Sequence, residues 1–154
     1  MSSRFTARYP FARDGAPHLQ TVVSVGEGSL HVGSGLLSFL VDSGAAVTTI
    51  GYGDRIRLGL ATDYQFTERR KLGGIGGEQY YGVMDGVLAI LGVHAERESS
   101  ITAAVRVHVA ESQDNNFTLL GRDVLYRFQT TLVNGLVTLE ALDTQLGRSP
   151  NLSV

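Results

Sequence analysis

Short apolar runs rich in β-branched residues recur along most of the chain, and glycines separate many of them. We predict a strand for each of the following runs: Thr21–Val25, Ser29–Val32, Leu36–Val41, Gln79–Leu91 and Ile101–Val109. In the last run Arg106 and His108 alternate with valines, which is typical of a strand with one buried face. Gly82 and Gly86 lie inside the fourth run, where they predict a bulge or a break. Repeated short strands of this kind predict an all-β barrel or sandwich.

Local signals place the turns and two short helices between these strands. Gly28 and the Gly33-Ser34-Gly35 segment predict turns on either side of the second strand. Asn134-Gly135 is the strongest hairpin signal, and it separates two further predicted strands, residues 130–133 and 136–139. Asp54 is placed to cap a helix that ends near Leu60. Residues 123–128 are predicted to form one or two helical turns.

Composition and charge fit a single soluble domain. The chain has 154 residues, of which 43% are hydrophobic and 18% are charged, as in ordinary globular proteins. Its formal net charge of -2 and scattered basic residues argue against a nucleic-acid partner or a membrane-surface partner. No apolar run reaches membrane-spanning length, and residues 1–13 lack the apolar core of a signal peptide. We therefore expect a cytoplasmic protein.

Cysteine and histidine give no indication of a metal site. Cysteine is absent, which excludes disulfides and thiolate metal sites. The histidines have no close metal-ligand spacing; they are His18, His31, His94 and His108. We predict neither a metal nor another cofactor.

The Leu36–Val41 strand runs directly into the tripeptide Asp42, Ser43 and Gly44. Such a segment places a carboxylate and a hydroxyl at the end of an apolar strand, and the glycine permits a tight turn with close backbone approach. A common alternative is a strand that simply ends in an Asp-Ser-Gly turn. However, the residues from Leu40 to Ala45 resemble the signature of retropepsins, the retroviral-type aspartic proteases and their cellular relatives. That signature is two apolar residues followed by Asp-Thr/Ser-Gly-Ala.

A second segment, residues 71–77, holds four glycines around Ile75. A flexible loop tip is the alternative interpretation, although a central isoleucine is unusual there. The segment resembles the glycine-rich flap of retropepsins, a hairpin tip that closes over the substrate. The resemblance implies that the backbone N–H of Ile75 holds a water that bridges to the substrate.

A third segment, residues 117–125, contains Gly121, Arg122 and Asp123 after two leucines. It resembles the second retropepsin signature, in which Gly-Arg-Asn/Asp opens a short helix and has a structural role. In retroviral members an acidic residue occupies the position of Ala46, and the signature arginine pairs with it. Arg122 therefore needs another partner in this chain.

The order of the three segments is more specific than any one of them. Together they span residues 19–140, which we predict to be a retropepsin-like protease domain. Residues 1–18 are then an N-terminal extension and residues 141–154 a C-terminal tail. The implied fold is a closed all-β barrel or sandwich with a flap hairpin and one or two short helices.

Aspartic protease chemistry needs two carboxylates that share one proton, because two close negative charges cannot both form cheaply. Asp42 is the only suitable candidate in this chain, so the second carboxylate must come from a second copy. A two-fold homodimer supplies it. The resemblance implies that the hydroxyl of Ser43 hydrogen-bonds across that interface.

The expected substrate is an extended peptide or protein segment that pairs with the enzyme as an added strand. Its predicted binding residues are Ala45, Ala46, Val47, Leu72, Gly73, Gly74, Ile75 and Leu119. Their small or apolar side chains favour hydrophobic residues beside the cut. A catalytically silent dimer that binds peptides or scaffolds an assembly is the second hypothesis. An unrelated small barrel of the OB-fold type would need a basic aromatic groove, which the sequence does not indicate.

Overall fold

The computed structural model describes residues 4–74, 77–113 and 116–141, and this part of the chain is mostly β. Its strands are β1 (Thr6–Pro10), β2 (His18–Glu27), β3 (Leu30–Val41), β4 (Thr49–Ile50), β5 (Glu68–Gly74), β6 (Gly77–His94), β7 (Arg97–Ala110), β8 (Leu119–Leu120), β9 (Phe128–Val133) and β10 (Leu136–Ala141). Its helices are α1 (Tyr52–Arg57) and α2 (Arg122–Leu125). The prediction of a β-rich fold with one or two short helices is confirmed.

Pairing among the strands forms a closed circuit, which runs through β2, β3, β8, β4, β7, β6 and back to β2. Antiparallel pairing joins β2 to β3, β8 to β4, β7 to β6 and β6 to β2, while parallel pairing joins β3 to β8 and β4 to β7. The circuit is not a clean barrel, because β4 and β8 have only 2 residues each. In addition, β1, β10 and β9 extend the sheet from β6 outside the circuit, and β5 pairs with β6 at another point. The predicted closed barrel is therefore only partly confirmed.

The core is a cluster to which β1 and β10 contribute as well as the strands of the circuit, and it follows the strand alternation. In β7 the residues Ile101, Ala103, Val105, Val107 and Val109 are buried, as the two-residue period predicts. On the opposite face Arg106 is exposed but His108 is only 3% exposed. The difference arises because α2 packs against β7 and β4 pairs with it beside His108.

The Gly33-Ser34-Gly35 turn prediction is wrong. These residues lie inside β3 and pair with Val25, Ser24 and Val23 of β2, respectively. A Cβ on Gly33 would lie 2.2 Å from the backbone oxygen of Leu58. Glycine is therefore needed here because a neighbouring segment packs closely, whereas the chain does not turn.

Two other local predictions also need correction. Asp54 does not cap α1, which begins after Gly51; Asp54 lies in the first turn and accepts a hydrogen bond from the Thr118 hydroxyl at 2.5 Å. The glycines of the fourth predicted run do not break β6, which is continuous. At Gly82 a Cβ would lie 2.1 Å from the ring of Phe66, so this glycine makes room for an aromatic side chain.

The Asn134-Gly135 hairpin is confirmed. Asn134 has a φ of 53° and Gly135 a φ of 72°, the left-handed conformations that a tight hairpin turn requires. The turn joins β9 to β10, and β10 also pairs with β1. Among the helices in residues 4–74, 77–113 and 116–141, neither is long and apolar enough to cross a membrane.

Candidate active site

Asp42 follows β3 directly, at the point where β3 runs parallel to β8. Its backbone N–H donates to the carbonyl of Leu120 at 3.1 Å, and the N–H of Leu40 donates to the carbonyl of Thr118 at 3.0 Å. These bonds continue the pairing of the two strands as far as the carboxylate residue. The position of Asp42 is therefore set by regular sheet geometry.

The turn after Asp42 is closed by the aspartate itself. Its Oδ1 accepts a hydrogen bond from the N–H of Gly44 at 2.8 Å, and its carbonyl accepts one from the N–H of Ala45 at 3.2 Å. Asp42 is half-buried, while Ser43 and Gly44 are exposed. The loop thus presents one fixed carboxylate oxygen, and the other has no hydrogen bond to the part of the chain that the structure describes.

The Gly121–Asp123 segment packs against the back of this loop. The N–H of Arg122 donates to the carbonyl of Ala45 at 2.9 Å. A Cβ on Gly121 would lie 2.6 Å from the carbonyl carbon and oxygen of Val47 and 3.0 Å from the carbonyl oxygen of Ala45. Only glycine allows the two backbones to approach this closely.

The carboxylate of Asp123 fixes the end of the same loop. It accepts hydrogen bonds from the N–H of Thr48 at 2.9 Å and from the Thr48 hydroxyl at 2.7 Å. The Thr48 oxygen also accepts a hydrogen bond from the N–H of Gly121 at 3.1 Å, and Thr48 is fully buried. The sequence analysis did not identify Thr48. No local pattern pointed to it, because its acceptor Asp123 is 75 positions away in the chain.

Arg122 has the partner that its sequence context left open. One of its terminal guanidinium nitrogens donates to the carbonyl of Ser43 at 3.0 Å and to the carbonyl of Gly44 at 3.1 Å. Backbone oxygens therefore replace the acidic side chain that Ala46 lacks. The arginine binds the loop of its own chain and stabilises the turn that carries Asp42.

The predicted flap segment lies on the β5–β6 arm. Leu72 pairs with Gln79, Gly73 with Glu78 and Gly74 with Gly77, so the two strands are antiparallel up to their ends. Ile75, the predicted flap tip, lies outside the described residues. Arg69 anchors the arm through two hydrogen bonds of 2.8 Å to the carboxylate of Glu111.

The predicted site residues fall into two groups. Hydrogen bonds and strand pairing join the Asp42–Val47 loop to residues 119–123, and Leu119 pairs with both Leu40 and Thr49. Residues 72–74 pair with β6 instead, and no hydrogen bond links them to the Asp42 loop. Within the described ranges, no group of three or more histidine or acidic side chains is arranged to hold a metal ion.

Comparison with solved structures places this arrangement among known folds. The chain is similar to a retropepsin-like aspartic protease from Rickettsia conorii, with a TM-score of 0.51 and 20% identity over 88% of this chain and 90% of that one. The chain has a retropepsin-like fold. It also matches the EIAV protease complexed with the inhibitor HBY-793, with a TM-score of 0.38 and 20% identity over 77% of this chain and 92% of that one. No family model and no curated protein sequence matches the chain.

Proposed function

We propose that this retropepsin-like protein is an aspartic endopeptidase that acts as a homodimer. The observation that carries the proposal is the fixed loop at Asp42. Its carboxylate stands at the end of a sheet strand, and Arg122 and Asp123 hold the loop from behind. The Gly44 N–H already closes the turn by donating to Asp42, and the contacts of Arg122 and Asp123 fix the loop further.

In the proposed mechanism two Asp42 carboxylates, one per subunit, hold a water between them. The pair shares one proton, so one carboxylate accepts a proton from the water while the protonated one donates to the oxygen of the scissile carbonyl. The water oxygen attacks the carbonyl carbon and gives a tetrahedral diol. Proton transfer to the amide nitrogen then breaks the C–N bond, and the carboxylates return to their starting state.

The proposed dimer places the exposed surface of the loop against its symmetry mate. Ser43, Gly44 and Ala46 are exposed in the single chain. Arg122 is already bound to carbonyls of its own loop, so an intersubunit ion pair at this point is not needed for loop geometry. The Ser43 hydroxyl is the group proposed to hydrogen-bond across the two-fold axis.

The proposed substrate is an extended peptide that lies between the two Asp42 loops and the β5–β6 arms. Such a peptide satisfies its backbone by pairing as an added strand, and alternate side chains enter pockets on either side. The proposed contact residues are Ala45, Ala46, Val47, Leu72, Gly73, Gly74, Ile75 and Leu119. Cleavage of a peptide library with no preference for apolar residues at the cut would contradict this assignment.

The catalytic role is tested with Asp42→Asn, which keeps the oxygen that accepts from Gly44 but removes the charge. Cleavage of a peptide library at mildly acid pH should fall by about 10²–10⁴-fold, the usual contribution of a general acid or base. Asp14→Asn is the matched control, because Asp14 closes an exposed turn of the same kind by accepting from the N–H of Ala16 at 2.9 Å. Undiminished cleavage by Asp42→Asn would overturn the proposal.

A second experiment tests the shared site. Wild-type and Asp42→Asn chains carrying different affinity tags are co-expressed, and the mixed dimer is isolated through both tags. The mixed dimer should be as inactive as the Asp42→Asn homodimer, since each site needs a carboxylate from both chains. Half of the wild-type activity in the mixed dimer would show that each chain works alone. A wild type that binds peptides but cleaves none would establish the peptide-binding dimer instead.

A further inference from the structure

A cavity of about 610 Å³ lies beside the Asp42 loop, on the side of Val47. Its lining includes Val83, Arg106 and His108 from the β6–β7 pair, and Asp123 and Arg127 from the α2 region. Val47 lies in the same loop as Asp42 and is one of the proposed peptide-contact residues. Through Val47 the cavity is in a position to receive a side chain of a bound peptide.

His108 is an unpartnered polar group in the wall of this cavity. It is only 3% exposed, and neither ring nitrogen has a hydrogen-bond partner within the described residues. Burial lowers the pKa of His108, and the nearby positive charge of Arg70 lowers it further. The ring is therefore neutral at neutral pH and has one N–H donor to offer. Buried polar groups are normally hydrogen-bonded, so an unpaired donor here points to a partner that enters the cavity.

The cavity's carboxylates are already bound. Asp85 accepts a hydrogen bond from Arg106 at 2.6 Å, and Asp123 accepts both of its hydrogen bonds from Thr48. Arg106 also binds Glu68, so its charge is matched.

Arg127 is different, because it lines the cavity and its guanidinium makes no ion pair with any carboxylate in residues 4–74, 77–113 or 116–141. Arginine is always protonated and offers several N–H donors in a fork. Arg70, which also lines the cavity, pairs with Glu68 at 3.3 Å. The uncommitted groups are thus the cation of Arg127 and the donor of His108. Both require an acceptor, and the cation favours one with a negative charge.

We propose that this cavity binds a carboxylate, and that its source is an acidic side chain of the peptide held at the Asp42 site. The proposal rests on the proposed function for its location. Arg127 binds the carboxylate as an ion pair, and the neutral ring of His108 donates a hydrogen bond to it. Val47 and Val83 pack against the aliphatic part of the acidic side chain. The protein is then a protease that selects an acidic residue near the cut as well as an apolar one.

The test compares peptides that differ only by Glu or Gln at each position around the cut. With the wild-type dimer, kcat/KM at one position should be about 10-fold higher for Glu, because a charge-assisted hydrogen bond to Arg127 is stronger for a carboxylate than for a neutral amide. Arg127→Gln should reduce that ratio towards 1, and Arg127→Lys should restore part of it. The matched control is Arg57→Gln, which removes an arginine that is 73% exposed and lies outside the cavity. Equal rates for Glu and Gln at every position, or a ratio that survives Arg127→Gln, would overturn the proposal.

A binding experiment separates this proposal from the catalytic one. Asp42→Asn protein is titrated with the same fluorescent peptides, and the dissociation constants for Glu and Gln are compared. A preference for Glu that Arg127→Gln abolishes supports the cavity even if the wild type cleaves nothing. Equal affinities contradict the cavity even if Asp42 proves catalytic.

Free glutarate distinguishes a peptide side chain from a small carboxylate. The His108 ring signals of isotopically labelled Asp42→Asn protein are followed by NMR while glutarate or the Glu peptide is added. Shifts with micromolar Glu peptide but not with micromolar glutarate support the substrate assignment. Shifts with glutarate alone would overturn it, and the cavity would then be a site for a free carboxylate.

Discussion

The carboxylate of Asp123 accepts two hydrogen bonds from Thr48, at 2.9 Å from its backbone nitrogen and 2.7 Å from its hydroxyl. The residues are 75 positions apart in the chain, and their contact ties α2 to the loop that carries Asp42. Because Thr48 is also bound by the N–H of Gly121, its oxygen is a junction between both signature segments. Loop geometry at Asp42 therefore depends on a side chain six residues away.

Removing this junction should destabilise the fold. Thr48→Val keeps the shape of the side chain but leaves one oxygen of Asp123 and the N–H of Gly121 without a partner. We expect the free energy of unfolding to fall by about 1–3 kcal/mol, the cost of an unsatisfied buried group. Urea denaturation measures it. Thr62→Val, at an exposed position, is the control and should change stability by less than about 0.5 kcal/mol. Equal stability of the two variants would contradict the role of Thr48.

Gly121→Ala should be one of the most damaging single changes. The new Cβ would lie 2.6 Å from backbone atoms of Val47, which cannot rotate away as a side chain can. Overpacking of this kind costs about 1–3 kcal/mol or more. Gly53→Ala is the control, since its Cβ would meet nothing within 4 Å and it lies inside α1. There alanine should stabilise the helix by about 0.5–1 kcal/mol. Thermal unfolding of both variants gives the comparison, and a stable Gly121→Ala protein would show that the two backbones separate easily.

Arg122→Gln tests whether the intrachain contacts hold the turn that carries Asp42. The change removes the cation that donates to the carbonyls of Ser43 and Gly44. These contacts are exposed, so we expect a stability loss below about 1 kcal/mol. Because they shape the turn, kcat should nevertheless fall, while KM changes little. Steady-state kinetics and denaturation are measured on the same preparation. A loss of stability without any loss of kcat would assign Arg122 a purely structural role.

Stability should depend on the ionisation of His108. Burial first, and Arg70 second, lower its pKa below the ordinary value of 6.5. As the pH falls below about 6.5, the unfolded chain takes up a proton at this residue before the folded protein does. The free energy of unfolding therefore decreases on acidification, with a slope of at most about 1.4 kcal/mol per pH unit from this group.

His108→Leu removes that contribution. Between pH 6.5 and the folded-state pKa, the variant should lose less stability per pH unit than the wild type does. Urea denaturation at a series of pH values measures both slopes. Parallel slopes would mean that His108 protonates equally in the folded and unfolded chains.

Sequence patterns correctly predicted the strands and turns that are determined by residues close together in the chain. Alternation along residues 101–109 predicted β7, and Asn134-Gly135 predicted its hairpin because only a few residue types accept left-handed backbone angles. The glycines at 33, 35 and 82 were misread for the opposite reason. Gly33 makes room for the backbone of Leu58 and Gly82 for the ring of Phe66, and these neighbours are distant in sequence, whereas a Cβ on Gly35 would make only ordinary contacts.

The candidate site likewise has residues that the sequence indicated and contacts that only the structure shows. The order of its three segments could be read from the sequence, and it indicated Asp42, Gly121, Arg122 and Asp123 before any coordinates. The sequence could not predict which groups bind Arg122 and Asp123. These groups are backbone carbonyls and the Thr48 side chain, and they reach their partners only when β3 and β8 pair.

By itself the sequence determined that this is a β-rich chain with an Asp-Ser-Gly segment at the end of an apolar strand, since strand period and turn chemistry are properties of neighbouring residues. The tertiary structure decided how that segment is held and what lies beside it. Thr48, His108 and Arg127 acquired their importance only from packing. Hydrogen-bond satisfaction and burial depend on groups brought together from remote parts of the chain, and no local pattern encodes them.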